Sequence, residues 1–457
     1  MANTATTTAD AAVTREYRKV LWASWLGTAV EFYDFALYTA LAALVFGPLF
    51  FAGTSPIIGT IASLGTLAVG YVARPIGAII FGHIGDKVGR KRGLILSMSV
   101  MGGATVLMGL LPTSAQVGPA AAILLVLLRI IQGIGVGGDW GGAGLMTYEH
   151  APANRRGFAG SIVNAGTAAG VVLASGIAAP FFLLPKEQFE AWGWRAPLLL
   201  SIVIIGISLW MRTRISESPV FLREVKDAPR VRIPLLQVLR HPSRLMLALL
   251  ASLGQFFFNS LINNFSLVWA STAGGVDRSQ LLLFQAIANV LTIALTLTAG
   301  RISDRVGYKK VMLFGLIGGA VYAFAFLPLL SSGNLGLVAL GFFVAQVFMS
   351  SIAGPITALV SGLFGSKHRY SGASLGYQLA ATVGGLAPLI FASFLPLGLT
   401  TAMIWVPVIM AGVALISVVF LLIARPEPDA VAAEQTGSLA VGEPEPAPVE
   451  SPARARS

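Results

Sequence analysis

The sequence predicts an all-α integral membrane protein with twelve transmembrane helices arranged as two six-helix halves. Three observations predict this fold: an apolar composition, twelve apolar segments of helical length, and a loop motif that occurs once in each half. Of the 457 residues, 55% are hydrophobic and only 11% are charged, whereas an average soluble domain has about 25% charged residues. The composition therefore excludes a large soluble core.

The apolar segments are each long enough to cross a hydrocarbon layer of about 30 Å as a helix. They divide the chain into a lead (1–19), an N-terminal half (20–212), a linker (213–243), a C-terminal half (244–424) and a tail (425–457). The tail is rich in Pro, Glu and Ala, and such a composition predicts disorder. The segments begin near Val20, Ile57, Leu94, Ala120, Phe158, Arg195, Arg244, Gln280, Val311, Leu335, Ala373 and Thr401.

Basic residues are concentrated on one side of the predicted membrane. The connections on that side contain 23 Lys and Arg, and those on the other side contain three, Lys186, Arg195 and Arg278. By the positive-inside rule, both termini are predicted to be cytoplasmic, in a multi-pass protein of the cell (plasma or inner) membrane. The net charge of +11 is thus explained by topology, and we expect the lipid bilayer rather than a nucleic acid as its partner.

Neither an enzyme nor a metal centre is predicted. The chain has no cysteine, and its four histidines are dispersed over polar connections, so no metal-binding cluster or nucleophile–base pair is evident. We expect no cofactor other than a proton as the coupling ion.

The repeated motif lies between the second and third segments of each half. It reads GHIGDKVGRKR from Gly82 and GRISDRVGYKK from Gly300, 218 residues later. Gly82 and Gly89 permit close backbone approach and a tight turn, and Asp86 can face helix N-termini. Parallel six-helix halves with a substrate site between them are a known transporter plan.

The two loops resemble the signature loops of the major facilitator superfamily, and further motifs resemble its metabolite:proton symporter branch. The resemblance implies the major facilitator fold and a gating latch of Gly82, Asp86, Gly89, Arg90 and Asp139, with Asp304 in the weaker second copy. Asp139 departs from the glutamate common in that branch. The motifs are Glu31–Phe35, Arg129–Ala143, Glu149–Gly157 and Glu217–Phe221, and Gly27–Ala29, Phe46–Phe50 and Glu149–Pro152 look most like shikimate-type transporters.

Ionisable residues inside the predicted spans are candidate functional residues, because a charge at the bilayer centre is costly. Glu31 and Asp34 share a helix face about halfway along the first span, and Arg129 lies about halfway along the fourth. We predict that Asp34 is the proton site, assisted by Glu31, and that Arg129 holds Asp34 or a substrate carboxylate. Arg74 either snorkels or braces the gate, and Glu149 braces the cytoplasmic end.

The C-terminal half has amides instead of charges within its spans. These amides suit the hydroxyl groups of a small substrate, although they could equally form hydrogen bonds between helices. The predicted substrate contacts are Tyr33, Tyr38, Arg129, Gln132 and Asn164 in the first half, and Gln255, Asn259, Asn263, Gln285, Asn289 and Gln378 in the second.

The sequence therefore predicts a monomeric, proton-coupled symporter that imports a small organic acid, with a shikimate-like carboxylate favoured. One alternative is a proline- or betaine-type osmolyte:proton symporter. A transceptor or scaffold without solute flux is the alternative from another class.

Overall fold

The computed structural model describes residues 2–53, 56–225, 238–240 and 242–425, and within these ranges it contains helices and no strand. Most of the predicted tail and much of the predicted linker lie outside the described residues. The N-terminal half consists of α1 (Ala2–Leu41), α2 (Pro56–Lys87), α3 (Arg90–Gly109), α4 (Ala120–His150), α5 (Arg156–Phe182) and α6 (Arg195–Arg214). The C-terminal half consists of α7 (Pro242–Ser260), α8 (Arg278–Val306), α9 (Tyr308–Ser331), α10 (Leu335–Ala353), α11 (Arg369–Gly384) and α12 (Leu399–Ile423).

The number of membrane spans agrees with the prediction. Eleven helices in the described ranges are long and apolar enough to cross a membrane, and the count rises to twelve with the first helix, which bends by 43° between Thr14–Leu41 and Leu44–Phe50. Because α1 begins at Ala2, the predicted lead continues the first helix. Several spans extend beyond a break: α7 continues through Leu261–Phe265 and Ser266–Ala273, α10 through Ile356–Gly362, and α11 through Ala387–Ala392.

Glycines let α2 and α4 approach to backbone contact. A Cβ added to Gly133 would lie 2.3 Å from the carbonyl oxygen of Gly70, and one added to Gly137 would lie 2.0 Å from that of Arg74. Small residues at membrane helix interfaces allow this close packing. The glycine-rich run of α4 is therefore a packing surface, which places the functional side chains of α4 next to α2.

The two halves meet where α2 packs against α11 and α5 packs against α8. Gly82 is at this interface, since a Cβ there would lie 2.7 Å from the Cα of Ser371. Gly89 and Gly307, at equivalent positions of the repeat, precede α3 and α9 with φ values of +140° and +94°. Residues other than glycine rarely adopt such φ values. The predictions of close approach and of a tight turn for the loop glycines are therefore confirmed.

Candidate functional site

The candidate site is centred on the carboxylate of Asp34, in the C-terminal part of α1. One oxygen accepts a 2.7 Å hydrogen bond from the Thr105 hydroxyl of α3. The other accepts a hydrogen bond from the side-chain amide of Gln132 on α4, which also donates to Thr105 at 2.9 Å. Three helices of the N-terminal half thus converge on one carboxylate, and Asp34 is only 3% exposed.

Arg129 lies about one turn before Gln132 on α4 and donates to the side-chain oxygen of Gln132. Its guanidinium lies over the Tyr38 ring, 3.9 Å from the centroid, and the Tyr38 hydroxyl is held 2.5 Å from that of Thr66. Among the described residues Arg129 makes no direct ion pair with Asp34. The predicted association of Arg129 with Asp34 therefore runs through Gln132.

Glu31 and Arg74 form a second buried region, one turn along α1 from Asp34. Glu31 is 3% exposed, and its Oε2 has no hydrogen-bond partner within the described part of the chain. The Arg74 guanidinium lies 4.3 Å from the ring centroid of Tyr71 and 5.9 Å from that of Phe35. Because it is only 9% exposed and lies against these rings, Arg74 does not snorkel to the membrane surface.

Asp139 forms an ion pair that the sequence did not predict. Its two carboxylate oxygens accept hydrogen bonds from Arg212 of α6 at 2.5 and 3.0 Å. Gly27 of α1 leaves room for this arginine, since a Cβ there would lie 1.8 Å from Nη2 of Arg212. The predicted pairing of Asp139 with Asp86 and Arg90 is not observed, because Arg212 occupies both oxygens of the carboxylate inside the N-terminal half.

Asp86 and Arg90 form a latch at the end of the molecule that carries the signature loops. Arg90 donates to Asp86 at 2.5 Å, and both side chains are inaccessible. Asp86 also accepts the backbone N–H groups of Tyr370 and Ser371 at 3.1 and 2.9 Å, in the first turn of α11, where an anion is stabilised. Arg90 donates to the carbonyl oxygen of Ser366 at 2.5 Å. The pair therefore ties the N-terminal half to the C-terminal half.

The second signature loop makes the equivalent contact, with the acid in the C-terminal half and the helix terminus in the N-terminal half. Asp304 of α8 accepts the backbone N–H groups of Gly157 and Phe158, in the first turn of α5, at 2.7 and 3.0 Å. Tyr308 stands where the first loop has Arg90. The Asp304 contact thus lacks the buried arginine that accompanies Asp86, in line with the prediction of a weaker second latch.

Glu149 connects three further groups at the same end. Its carboxylate lies 3.7 Å from Arg90 and 3.5 Å from Arg369, and it accepts a hydrogen bond from the Ser218 hydroxyl. The expected bracing role of Glu149 therefore includes a contact with the C-terminal half. Arg369 and Arg212 were not among the site residues predicted from the sequence. The sequence offers for Arg212 only its position one helical turn after Ser208, a small polar residue within an apolar segment.

Asn164, a predicted substrate contact, joins the two halves in this conformation. Its Nδ2 donates to the carbonyl oxygen of Ala353 at 2.8 Å and to the Thr357 hydroxyl at 2.9 Å. Its Oδ1 accepts a 3.2 Å hydrogen bond from the Trp140 indole. The Trp140 ring stacks on that of Tyr377, with the centroids 3.3 Å apart and the planes at 5°. These residues form a closed layer between the halves.

The predicted amides of the C-terminal half fall into two groups. Gln285 donates to the carbonyl and side-chain oxygens of Asn263 at 2.8 and 3.3 Å, so this pair connects two helices. Gln255 donates to the Tyr377 hydroxyl at 3.3 Å. The side-chain oxygens of Gln255 and Gln378 are buried and have no hydrogen-bond partner within the described ranges, which leaves both able to accept a hydrogen bond from a solute.

Three other predicted substrate contacts have different surroundings. Asn259 and Asn289 are half-buried. Tyr33 is fully buried, and its hydroxyl donates to the carbonyl oxygen of Pro197 on α6 at 2.7 Å. Tyr33 therefore braces α1 against α6, and it is not accessible to a solute in this conformation.

Comparison with known proteins identifies one family. The sequence model of the Major Facilitator Superfamily matches residues 24–369 and 257–455 of this chain. The shikimate transporter of Escherichia coli (strain K12) is 36% identical over 373 residues, which cover 80% of this chain and 85% of the relative. The inner membrane metabolite transport protein YhjE of the same strain is 39% identical over 382 residues, covering 82% and 87%.

Two further similarities bear on substrate and fold. The glycine betaine/proline/ectoine/pipecolic acid transporter OusA of Dickeya dadantii (strain 3937) is 30% identical over 388 residues, covering 82% of this chain and 77% of the relative. Among solved structures, the proton:xylose symporter XylE bound to 6-bromo-6-deoxy-D-glucose has a TM-score of 0.72 at 18% identity. That alignment covers 90% of this chain and 95% of XylE, and at this identity the similarity concerns the fold alone.

Proposed function

This chain belongs to the major facilitator superfamily, and we propose that it is a proton-coupled symporter importing a small carboxylate metabolite by alternating access. The observation that carries the proposal is the buried bridge in which Gln132 hydrogen-bonds Asp34 and Arg129. A carboxyl that can hold a proton thus lies next to a guanidinium that can hold a substrate carboxylate.

The guanidinium of Arg129 supports an anionic substrate. Arginine stays protonated and presents a planar fork that matches a carboxylate. In the C-terminal half, the free side-chain oxygens of Gln255 and Gln378 are acceptors suited to hydroxyl groups. A hydroxylated carboxylate of the shikimate type satisfies both requirements, and the similarity to the shikimate transporter supports the same class.

In this proposal, coupling follows because the substrate carboxylate and the Gln132 side chain compete for Arg129. A substrate carboxylate that binds Arg129 takes the place of the Gln132 side-chain oxygen on the guanidinium and neutralises the positive charge near the buried Asp34 carboxylate. The charge state of a buried carboxyl depends on its hydrogen bonds and on nearby charges, so Asp34 takes up a proton as the substrate anion binds. Proton and substrate therefore bind together and leave together, because each favours the other.

The gate contacts define the state that the structure represents. The signature-loop end is closed by the bonds of Asp86 to α11 and of Asp304 to α5. The concentration of basic residues at this end supports its assignment as the cytoplasmic end under the positive-inside rule. In our proposal this is the outward-facing state, and transport requires both contacts to break as the halves rock.

An osmolyte substrate is the second candidate, favoured by the similarity to OusA. A betaine or proline zwitterion also has a carboxylate for Arg129, but its cationic nitrogen needs an acidic or aromatic partner as well. Glu31 and Asp34 are buried acids of α1, and using Asp34 for the nitrogen would remove it from proton transfer. Substrate identity and coupling are therefore tested together.

The test is uptake by purified protein in liposomes, with internal pH recorded. Shikimate, 2-oxoglutarate, citrate, proline and betaine are offered under an inward proton gradient, and protein-free liposomes are the control. We expect accumulation of a carboxylate accompanied by internal acidification. Accumulation of betaine or proline alone would establish the osmolyte alternative, and binding of a cytoplasmic partner without flux of any solute would favour a scaffold.

A further inference from the structure

A basic groove lies on the outside of the N-terminal half, where the first turns of the α1 span meet the last turn of α6. It encloses about 890 Å³ and is lined by Thr14, Arg15, Arg18, Lys19, Trp22, Trp210, Met211 and Arg214. None of its cations takes part in the candidate site or the latch. We propose that this groove binds the phosphate headgroup of an anionic phospholipid.

The charges of the groove suit a phosphate. Arg15 and Arg18 are exposed, and neither forms an ion pair with a carboxylate among the described residues. Lys19 pairs with Glu16 at 3.0 Å, and Glu16 also accepts the backbone N–H of Ser216, so this acid does not line the groove. Three arginines therefore remain to attract an anion.

The surroundings of the groove are those of a membrane interface. On α6, Val203, Ile207 and Trp210 follow one another at helical spacing and are 57%, 49% and 58% exposed, and Arg214 continues the same face. Such an exposed apolar stripe suits contact with acyl chains, and it ends at the basic residues of the groove. Trp22 of α1, 60% exposed, flanks the groove from the other side.

These two features together select a lipid over a dissolved anion. Tryptophan is enriched where hydrocarbon meets water, and basic clusters next to the cytoplasmic end of a membrane helix attract anionic headgroups. A free phosphate would use the arginines and leave the apolar stripe without a role. A phospholipid would place its phosphate on the arginines and its chains along the exposed face of α6.

The inference does not depend on which solute is carried, so its test uses binding rather than transport. Purified full-length protein in an uncharged detergent is titrated with dioleoyl phosphatidylglycerol and, separately, with dioleoyl phosphatidylcholine, and retained lipid is counted by native mass spectrometry. We expect phosphatidylglycerol to be retained preferentially. In Arg15→Gln/Arg18→Gln its binding should weaken about 25-fold, taking about fivefold for each cation near an anionic headgroup.

The matched control is Arg305→Gln/Lys310→Gln, which removes two exposed cations from the second signature loop and should leave binding unchanged. Trp22→Ala tests the interfacial contact and should weaken phosphatidylglycerol binding while the arginines remain. Equal binding by the wild type and the Arg15/Arg18 variant would overturn the proposal. So would displacement of the lipid by inorganic phosphate at the lipid's own half-saturating concentration, because the groove would then be a site for a free anion.

Discussion

Asp34 and Arg129 are joined by one amide side chain and not by an ion pair. The Gln132 side chain donates to Asp34 through its nitrogen and accepts from Arg129 through its oxygen. A ligand that binds Arg129 can therefore change the hydrogen bonding of Asp34 without contacting it. This relationship connects the proposed substrate site to the proposed proton site.

The bridge can be removed by Gln132→Leu, which keeps the approximate size of the side chain but abolishes both hydrogen bonds. We expect normal membrane insertion and a lower ratio of proton flux to substrate flux, measured in the same liposomes. The matched control is Gln346→Leu, because Gln346 is a buried glutamine of α10, outside the candidate site. An unchanged flux ratio in Gln132→Leu would show that coupling does not use the bridge.

The proposed carboxylate contact is tested by Arg129→Lys, which retains the charge but loses the planar fork. Hydrogen bonds to charged groups contribute about 1.5–3 kcal/mol, so the KM for the carboxylate should rise about tenfold or more. Arg74→Lys is the control, since Arg74 is also buried but lies over Tyr71, outside the bridge. Similar KM changes in both variants would contradict a specific role for Arg129.

The latch is tested by comparing Asp86→Asn with Asp304→Asn. The first change removes a buried ion pair and weakens the hydrogen bonds to a helix terminus, whereas the second weakens only backbone hydrogen bonds. Because the chain has no cysteine, Ser374→Cys, at a buried position of α11, gives a unique reporter of opening.

Labelling of that cysteine from the signature-loop side should accelerate about tenfold or more in Asp86→Asn, the ratio expected for losing about 1.4 kcal/mol or more of charge-assisted bonding. The increase in Asp304→Asn should be smaller. If both variants label at the wild-type rate, these acids are not part of the closed gate.

The ion pair of Asp139 with Arg212 is expected to stabilise the N-terminal half. Removing one partner of a buried pair leaves an uncompensated charge and costs about 3–5 kcal/mol. Arg212→Gln should therefore lower the Tm of the purified protein, and the double variant Asp139→Asn/Arg212→Gln should recover part of the loss. Additive losses in the double variant would mean that the two side chains do not stabilise each other.

Several features of the fold and site were predictable because they are local in the sequence. The twelve spans follow from hydropathy, and Asp86 and Arg90 are one helical turn apart, a spacing at which side chains meet. Gly82 and Gly89 were predicted from the repeat alone. The sequence predicted Asp34, Gln132 and Arg129 as site residues, but it did not predict the hydrogen bonds that join them.

The remaining features depend on tertiary contacts that leave little trace in one sequence. Arg212 is the last residue of the predicted N-terminal half, and a charge count does not distinguish an exposed arginine from one that turns inward beside Gly27. The partners of Asp86 on α11 are backbone N–H groups, which any residue provides. In the sequence, Tyr33 lies next to the site residue Asp34, yet its side chain points to α6.

The central claim is that Asp34 carries the coupled proton, and Asp34→Asn tests it most directly because it imitates the protonated side chain permanently. In liposomes this variant should exchange labelled for unlabelled substrate across the membrane but should not accumulate substrate under an inward proton gradient. Glu31→Gln, one turn away and outside the bridge, should reduce accumulation less. If Asp34→Asn still concentrates substrate with the proton gradient as the only energy source, the coupling site lies elsewhere.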